Sequence, residues 1–187
     1  ESNDLFGIKD ADEWNYPRAF LASDGNIVGI SYNKTWVMDV NNNYRILKTG
    51  AIPLVKSGIS KVLEHSNPNF DDHKKDNLKL LTIGSAVGST NSIVMIEKDK
   101  LLVFGGLQQG EGYSPSNKVF MIDFSDSFKP QIKELKSMNF ARRDGNATIM
   151  PDGNIFINGG SSYNDLEFSV FTPEIYNPYT QTTKEMS

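Results

Sequence analysis

Two histidines occur in the chain, His65 and His73, and both fall close to Asp71, Asp72 and Asp76. Imidazole and carboxylate at loop spacing form a donor set that binds cations weakly. The run Ser66-Asn67-Pro68-Asn69-Phe70-Asp71-Asp72-His73-Lys74-Lys75-Asp76-Asn77 carries both signs of charge and several turn formers. We therefore read it as a solvated, exposed loop. Ser85 and Ser89, around Gly84 and Gly88, have the outline of a nucleophile turn. No histidine accompanies them and no strand-to-helix elbow is visible, so a serine hydrolase is not supported. The chain contains no cysteine, which excludes disulfides, thiolate metal sites and cysteine nucleophiles within it. Asp24, Asp99 and Asp152 recur as if to ligate calcium, but Asp24 and Asp152 precede glycine, where an aspartate caps a tight turn. No catalytic residue and no metal ligand is assigned to the chain. Asn33-Lys34-Thr35 and Asn146-Ala147-Thr148 are glycosylation sequons. Asn33 reads as the reachable acceptor, in a connection between strands, and Asn146 as the poorer one, at the start of a strand. Trp14 and Trp36 have rings that stack on sugars, yet a sheet core also needs large apolar side chains, and we read both as core.

These residues must be positioned by a soluble scaffold. At 187 residues with 38% hydrophobic content, the chain is long enough for one sizeable core or two small ones. No apolar run approaches the roughly 18 residues that cross a bilayer. A net charge of −4 argues against a broad electrostatic grip on nucleic acid. The opening Glu1-Ser2-Asn3 lacks an initiator methionine and a basic-then-apolar leader, which suggests a processed product or a segment of something larger.

Three stretches repeat one pattern. Asp24-Gly25-Asn26-Ile27-Val28-Gly29-Ile30 is followed by Lys34-Thr35-Trp36-Val37-Met38-Asp39. Asp99-Lys100-Leu101-Leu102-Val103-Phe104-Gly105-Gly106 is followed by Lys118-Val119-Phe120-Met121-Ile122-Asp123. Asp152-Gly153-Asn154-Ile155-Phe156-Ile157-Asn158-Gly159-Gly160 is followed by Ser169-Val170-Phe171 and Glu174-Ile175-Tyr176. Asp-Gly between β-prone runs is a hairpin signal, here read as a tight turn. Gly-Gly after the second strand suits a crowded backbone. A third apolar strand and a polar fourth, such as Thr180 to Glu185, complete each unit. The expectation is an all-β chain of about three four-stranded antiparallel blades in a kelch-type β-propeller, rather than a sandwich of hairpins. The blades span approximately 14–50, 84–138 and 139–187, and a charged insertion fills 51–83. Within that insertion Ile59 to Glu64 reads as either a helical turn or a strand, and helix content overall should be very low.

The same residues resemble the galactose oxidase and glyoxal oxidase family. The segment Trp14-Asn15-Tyr16-Pro17-Arg18 through Ile27 is similar to a blade opening of that family, and Gly88 through Gly106 to the next. The nearest likeness runs from Asn139-Phe140-Ala141-Arg142 to Pro151-Asp152-Gly153, then Val170-Phe171-Thr172-Pro173-Glu174-Ile175-Tyr176-Asn177-Pro178. The resemblance implies the middle blades of a secreted copper-radical oxidase, which turns an alcohol or aldehyde plus oxygen into an oxidised product plus hydrogen peroxide. It places the copper ligands outside this chain: a cysteine–tyrosine cross-link before Glu1 and a tyrosine–histidine pair after Ser187. By the same resemblance this segment binds no cofactor itself and is inactive alone, while copper belongs to the complete protein. Phe171, Asp144 and Glu111 fall on the family's pocket rim; Asp144-Gly145 stands where an aromatic and a histidine are typical, so a galactose-like specificity does not follow.

Two further expectations follow. About three blades cannot close a ring, so the remaining blades must come from the same precursor or another chain. The altered rim and the charged insertion also fit a non-catalytic propeller that binds glycan or protein through its loop face. In either case no membrane span and no nucleic acid are expected.

Overall fold

The computed structural model describes residues 17–31, 33–52, 58–59, 82–83, 90–106, 115–162 and 168–186. The chain is all-β: the described residues include three four-stranded antiparallel sheets and no α-helix. The first sheet joins β1 (Arg18–Leu21), β2 (Ile27–Ser31), β3 (Lys34–Asp39) and β4 (Arg45–Ala51) in that order. A two-stranded pair, β5 (Gly58–Ile59) with β6 (Thr82–Ile83), follows within the predicted insertion. The second sheet holds β7 (Ser92–Glu97), β8 (Lys100–Phe104), β9 (Val119–Asp123) and β10 (Gln131–Leu135), and the third β11 (Asn146–Ile149), β12 (Ile155–Asn158), β13 (Glu174–Asn177) and β14 (Thr182–Glu185). Each sheet is a simple meander, with neighbours in chain order, as propeller blades are. The described sheets form an open array rather than a closed ring. No helix among the described residues is long and apolar enough to cross a membrane.

Strand alternation explains how the sheets stack. Successive side chains of a strand point to opposite faces. Leu101, Val103, Phe120 and Ile122 turn one way and pack with Val28, Ile30 and Val37 of the first sheet. Leu102, Phe104 and Val119 turn the other way and pack with Ile155, Ile157 and Tyr176 of the third. The central sheet is therefore buried on both faces, which its continuous apolar run Leu101-Leu102-Val103-Phe104 requires. Phe104 and Tyr176 meet edge to face, with ring centroids 5.5 Å apart.

The Asp-Gly turns are looser than the sequence implies. Each is a five-residue connection, 22–26 and 150–154, rather than a two-residue hairpin. Asp24 and Asp152 accept the N–H of Asn26 at 2.9 Å and of Asn154 at 3.0 Å, while Gly25 and Gly153 take positive φ. Asp99 does something else: it stands at φ +63° in the β7–β8 turn and accepts the Ser23 N–H across the sheets at 2.7 Å. Trp36 is core, as expected: it is 4% exposed, lies over Gly29 and donates Nε1–H to Ser31 Oγ at 3.0 Å. Trp14, His65, His73, Asp71, Asp72, Asp76, Ser85 and Ser89 lie outside the described residues.

Candidate functional site

Both glycine pairs lie at the same end of their sheets, where the first strand begins, the second ends and the third begins. Gly105, Gly106, Gly159 and Gly160 all take positive φ, which glycine adopts at little cost. The two pairs hold their blades alike: Ser116 donates its N–H to Gly106 O at 2.9 Å, and Val170 to Gly160 O at 2.8 Å. A Cβ on Gly160 would meet the Arg143 carbonyl, and would lie 2.9 Å from Gly145 N. On Gly159 it would meet nothing within 4 Å. Of that pair, crowding constrains Gly160 and backbone conformation alone constrains Gly159.

Residues 142–145 bridge the second and third sheets at this end. The Arg142 carbonyl accepts from Gly106 N at 2.9 Å and its N–H donates to Ser116 O at 3.1 Å. Asp144 donates its N–H to Thr90 O at 3.0 Å, and Ser92 Oγ donates to Gly145 O at 2.6 Å. Arg143 exchanges two backbone bonds with Ser161 and pairs through Nε with Asp144 Oδ2 at 2.6 Å.

Inside this bridge lies a buried ion pair. Arg142 donates Nη1–H to Gly159 O at 2.8 Å and Nη2–H to Thr172 O at 3.1 Å, and Nη2 sits 3.3 Å from Glu174 Oε2. Glu174 Oε1 accepts the Phe140 N–H at 2.9 Å. Among the described residues, Arg142 Nε and Glu174 Oε2 find no hydrogen-bond partner. Burial pushes the Glu174 carboxyl up from its ordinary range, with Arg142 and two backbone N–H groups opposing. Burial likewise pulls the Arg142 guanidinium down, with Glu174 opposing. A guanidinium stays charged regardless, which makes this a fixed positive centre inside the blade.

Of the sequence-derived rim residues, Phe171 and Asp144 share this end of the third sheet. Phe171 is 73% exposed between Val170 and Thr172, both of which are hydrogen-bonded; Asp144 is exposed at φ +53°. Glu111 lies outside the described residues. The two sequon asparagines stand where expected, Asn33 between β2 and β3 and Asn146 at the start of β11. Asn33 is buried at 2% exposure and donates Nδ2–H to Ile52 O at 3.1 Å, so its amide is engaged inside the fold, whereas Asn146 is exposed on β11. Sequence reasoning passed over Arg142 and Glu174. The signal was present: Glu174 shares strand parity with Tyr176, so a carboxylate is required on a core-facing position.

Comparison with protein-family profiles finds no match, and comparison with curated proteins finds none either. Comparison with solved structures finds a fungal alcohol oxidase, described as showing catalytic diversity among the AA5 family and solved in complex with copper. The TM-score is 0.50 at 16% identity, over 91% of this chain and 53% of that one. The chain thus spans about half the length of that structure, and at this identity the likeness is one of fold.

Proposed function

We propose that the chain is scaffold and pocket wall in a copper-radical oxidase of the galactose oxidase and glyoxal oxidase type, with kelch-type blades and copper ligands carried by residues outside this chain. The observation that carries the reading is the fold shared with a copper-complexed alcohol oxidase across 91% of the chain. The other 47% of that structure has no counterpart here, which fits a propeller whose remaining blades are supplied by the same precursor or another chain. The outward face of the third sheet supports this, since Phe156 and Ile175, opposite in parity to the core residues Ile155, Ile157 and Tyr176, are only half-buried.

Among the described residues no three His, Cys, Asp or Glu side chains sit together, and the sequence has no cysteine. These residues do not fit a copper centre with a cross-linked tyrosine, and no reaction step is derived through one. The role of this chain is orientation. Phe171 offers an apolar ring to the substrate's carbon skeleton, and Asp144 and Glu111 offer acceptors for its hydroxyls. The substrate class is a small alcohol or aldehyde, and the complete protein is secreted. The flanking coding sequence tests this reading. It must supply a cysteine and a tyrosine before Glu1 and a tyrosine–histidine step soon after Ser187; their absence overturns it.

One observation favours a second reading, a non-catalytic propeller binding glycan or protein. Phe171 is an exposed aromatic, and Arg143 and Asp144 at the same end of the third sheet are ion-paired, side chains that on this reading serve recognition without chemistry.

A further inference from the structure

The Arg142 side chain bonds to both ends of the connection between β12 and β13. Its Nη1–H holds the Gly159 carbonyl at 2.8 Å, where β12 has just ended, and its Nη2–H holds the Thr172 carbonyl at 3.1 Å, just before β13 begins. Phe171 is the residue next to that second anchor, and Asp144 lies two residues from Arg142 on the other side. The guanidinium is 2% exposed, so it touches the ends of the connection from beneath and not from solvent. Two carbonyls and one carboxylate converge on a planar fork, a geometry that arginine matches and lysine does not.

From this arrangement we propose that Arg142 is a positioning residue for the rim: it fixes where Phe171 stands, without reaching the ligand itself. That this rim bounds the substrate pocket rests on the functional reading above; that Arg142 sets its position does not. The Glu174 carboxylate serves Arg142 by holding Nη2, the same nitrogen that donates to the Thr172 carbonyl. Its other oxygen is committed to the Phe140 N–H, so the fork is anchored to the start of the blade. Phe140 adds its ring face 5.9 Å from Arg142 Cζ, a favourable site for a cation.

Arg142→Lys keeps the positive charge beside Glu174 but cannot reach both carbonyls. Hydrogen exchange read by mass spectrometry on the complete polypeptide separates the rim from the sheet beneath it. The expected result is at least tenfold faster exchange at Ser161, Ser162 and Val170, whose N–H groups bond to Arg143, Phe168 and Gly160. Exchange at Ile155 to Asn158 in β12 should stay unchanged. Faster exchange in both segments would make Arg142 a general support of the blade and overturn the proposal, as would no change in either. If peroxide is produced from a simple primary alcohol, Arg142→Lys should raise KM with kcat kept within about threefold. A loss confined to kcat would contradict positioning of the rim. Absence of any peroxide would count against the oxidase reading alone, because the exchange experiment stands without it.

Discussion

Arg142 Nη2 lies 3.3 Å from Glu174 Oε2, and the two side chains are 2% and 0% exposed. One residue precedes β11 and the other opens β13, so the pair ties the inner part of the third blade to its middle strand. Removing one partner of a buried pair leaves the other charged and unsolvated, which typically costs about 3–5 kcal/mol. Glu174→Leu should therefore destabilise by that amount in urea denaturation. The double variant Arg142→Met/Glu174→Leu should cost less than the sum of the two singles. Additive losses would mean that the charges do not act on each other.

The glycine pairs separate crowding from strain. Gly160→Val forces a side chain into the Arg143 carbonyl at φ +81° and should cost more than about 1–3 kcal/mol. Gly106→Val, at φ +101° and bonded to the Arg142 carbonyl, should behave alike. Gly159→Ala meets no atom within 4 Å and should cost only the left-handed penalty, about 1–2 kcal/mol. Thermal melts rank the three. Equal losses at Gly159 and Gly160 would mean that space is not the deciding factor. Asn69→Ala, in the charged run, should stay within about 0.5 kcal/mol.

Much of this arrangement was legible in the sequence, and the limits have physical causes. The short apolar run Leu101 to Phe104 and the recurring Gly-Gly marked the sheets and their crowded ends, because both depend on local chemistry. The turn at Asp24-Gly25 was placed correctly but read too tight: the connection runs over five residues, with the Asp24 carboxylate accepting the Asn26 N–H inside it. The burial of Asn33 was not legible for a different reason. Its amide donates to the Ile52 carbonyl, 19 residues away, and no local pattern carries that contact. The rim assignment of Phe171 and Asp144 came from resemblance; strand parity marks Glu174 as core-facing, but no local pattern names its partner Arg142, 32 residues away.

Burial pushes the Tyr176 phenol from 10.0 up to about 12, and its hydroxyl donates to Lys136 O at 3.1 Å. A folded value above the unfolded one adds stability that is fully present below pH 10 and is lost as pH rises through about 12. The difference between pH 9 and pH 12 is about 2–3 kcal/mol from this group alone. Tyr176→Phe should show a shallower alkaline loss in denaturant melts than the parent protein. An identical slope in both would show that the phenol titrates freely in the fold.

The open array predicts self-association. Sheet edges and half-buried faces that lack a neighbour invite pairing with other chains. The isolated 187-residue chain should scatter light as a polydisperse species. A monodisperse monomer with a cooperative melt would show that the described sheets are sufficient by themselves.

The most direct test of the functional account is copper stoichiometry and peroxide release, measured together on the polypeptide that carries the remaining blades. The account predicts one copper per molecule and hydrogen peroxide from a simple primary alcohol or aldehyde under oxygen. A folded, monomeric protein that takes up no copper, releases no peroxide and still binds a glycan or protein through the Phe171 rim would contradict it.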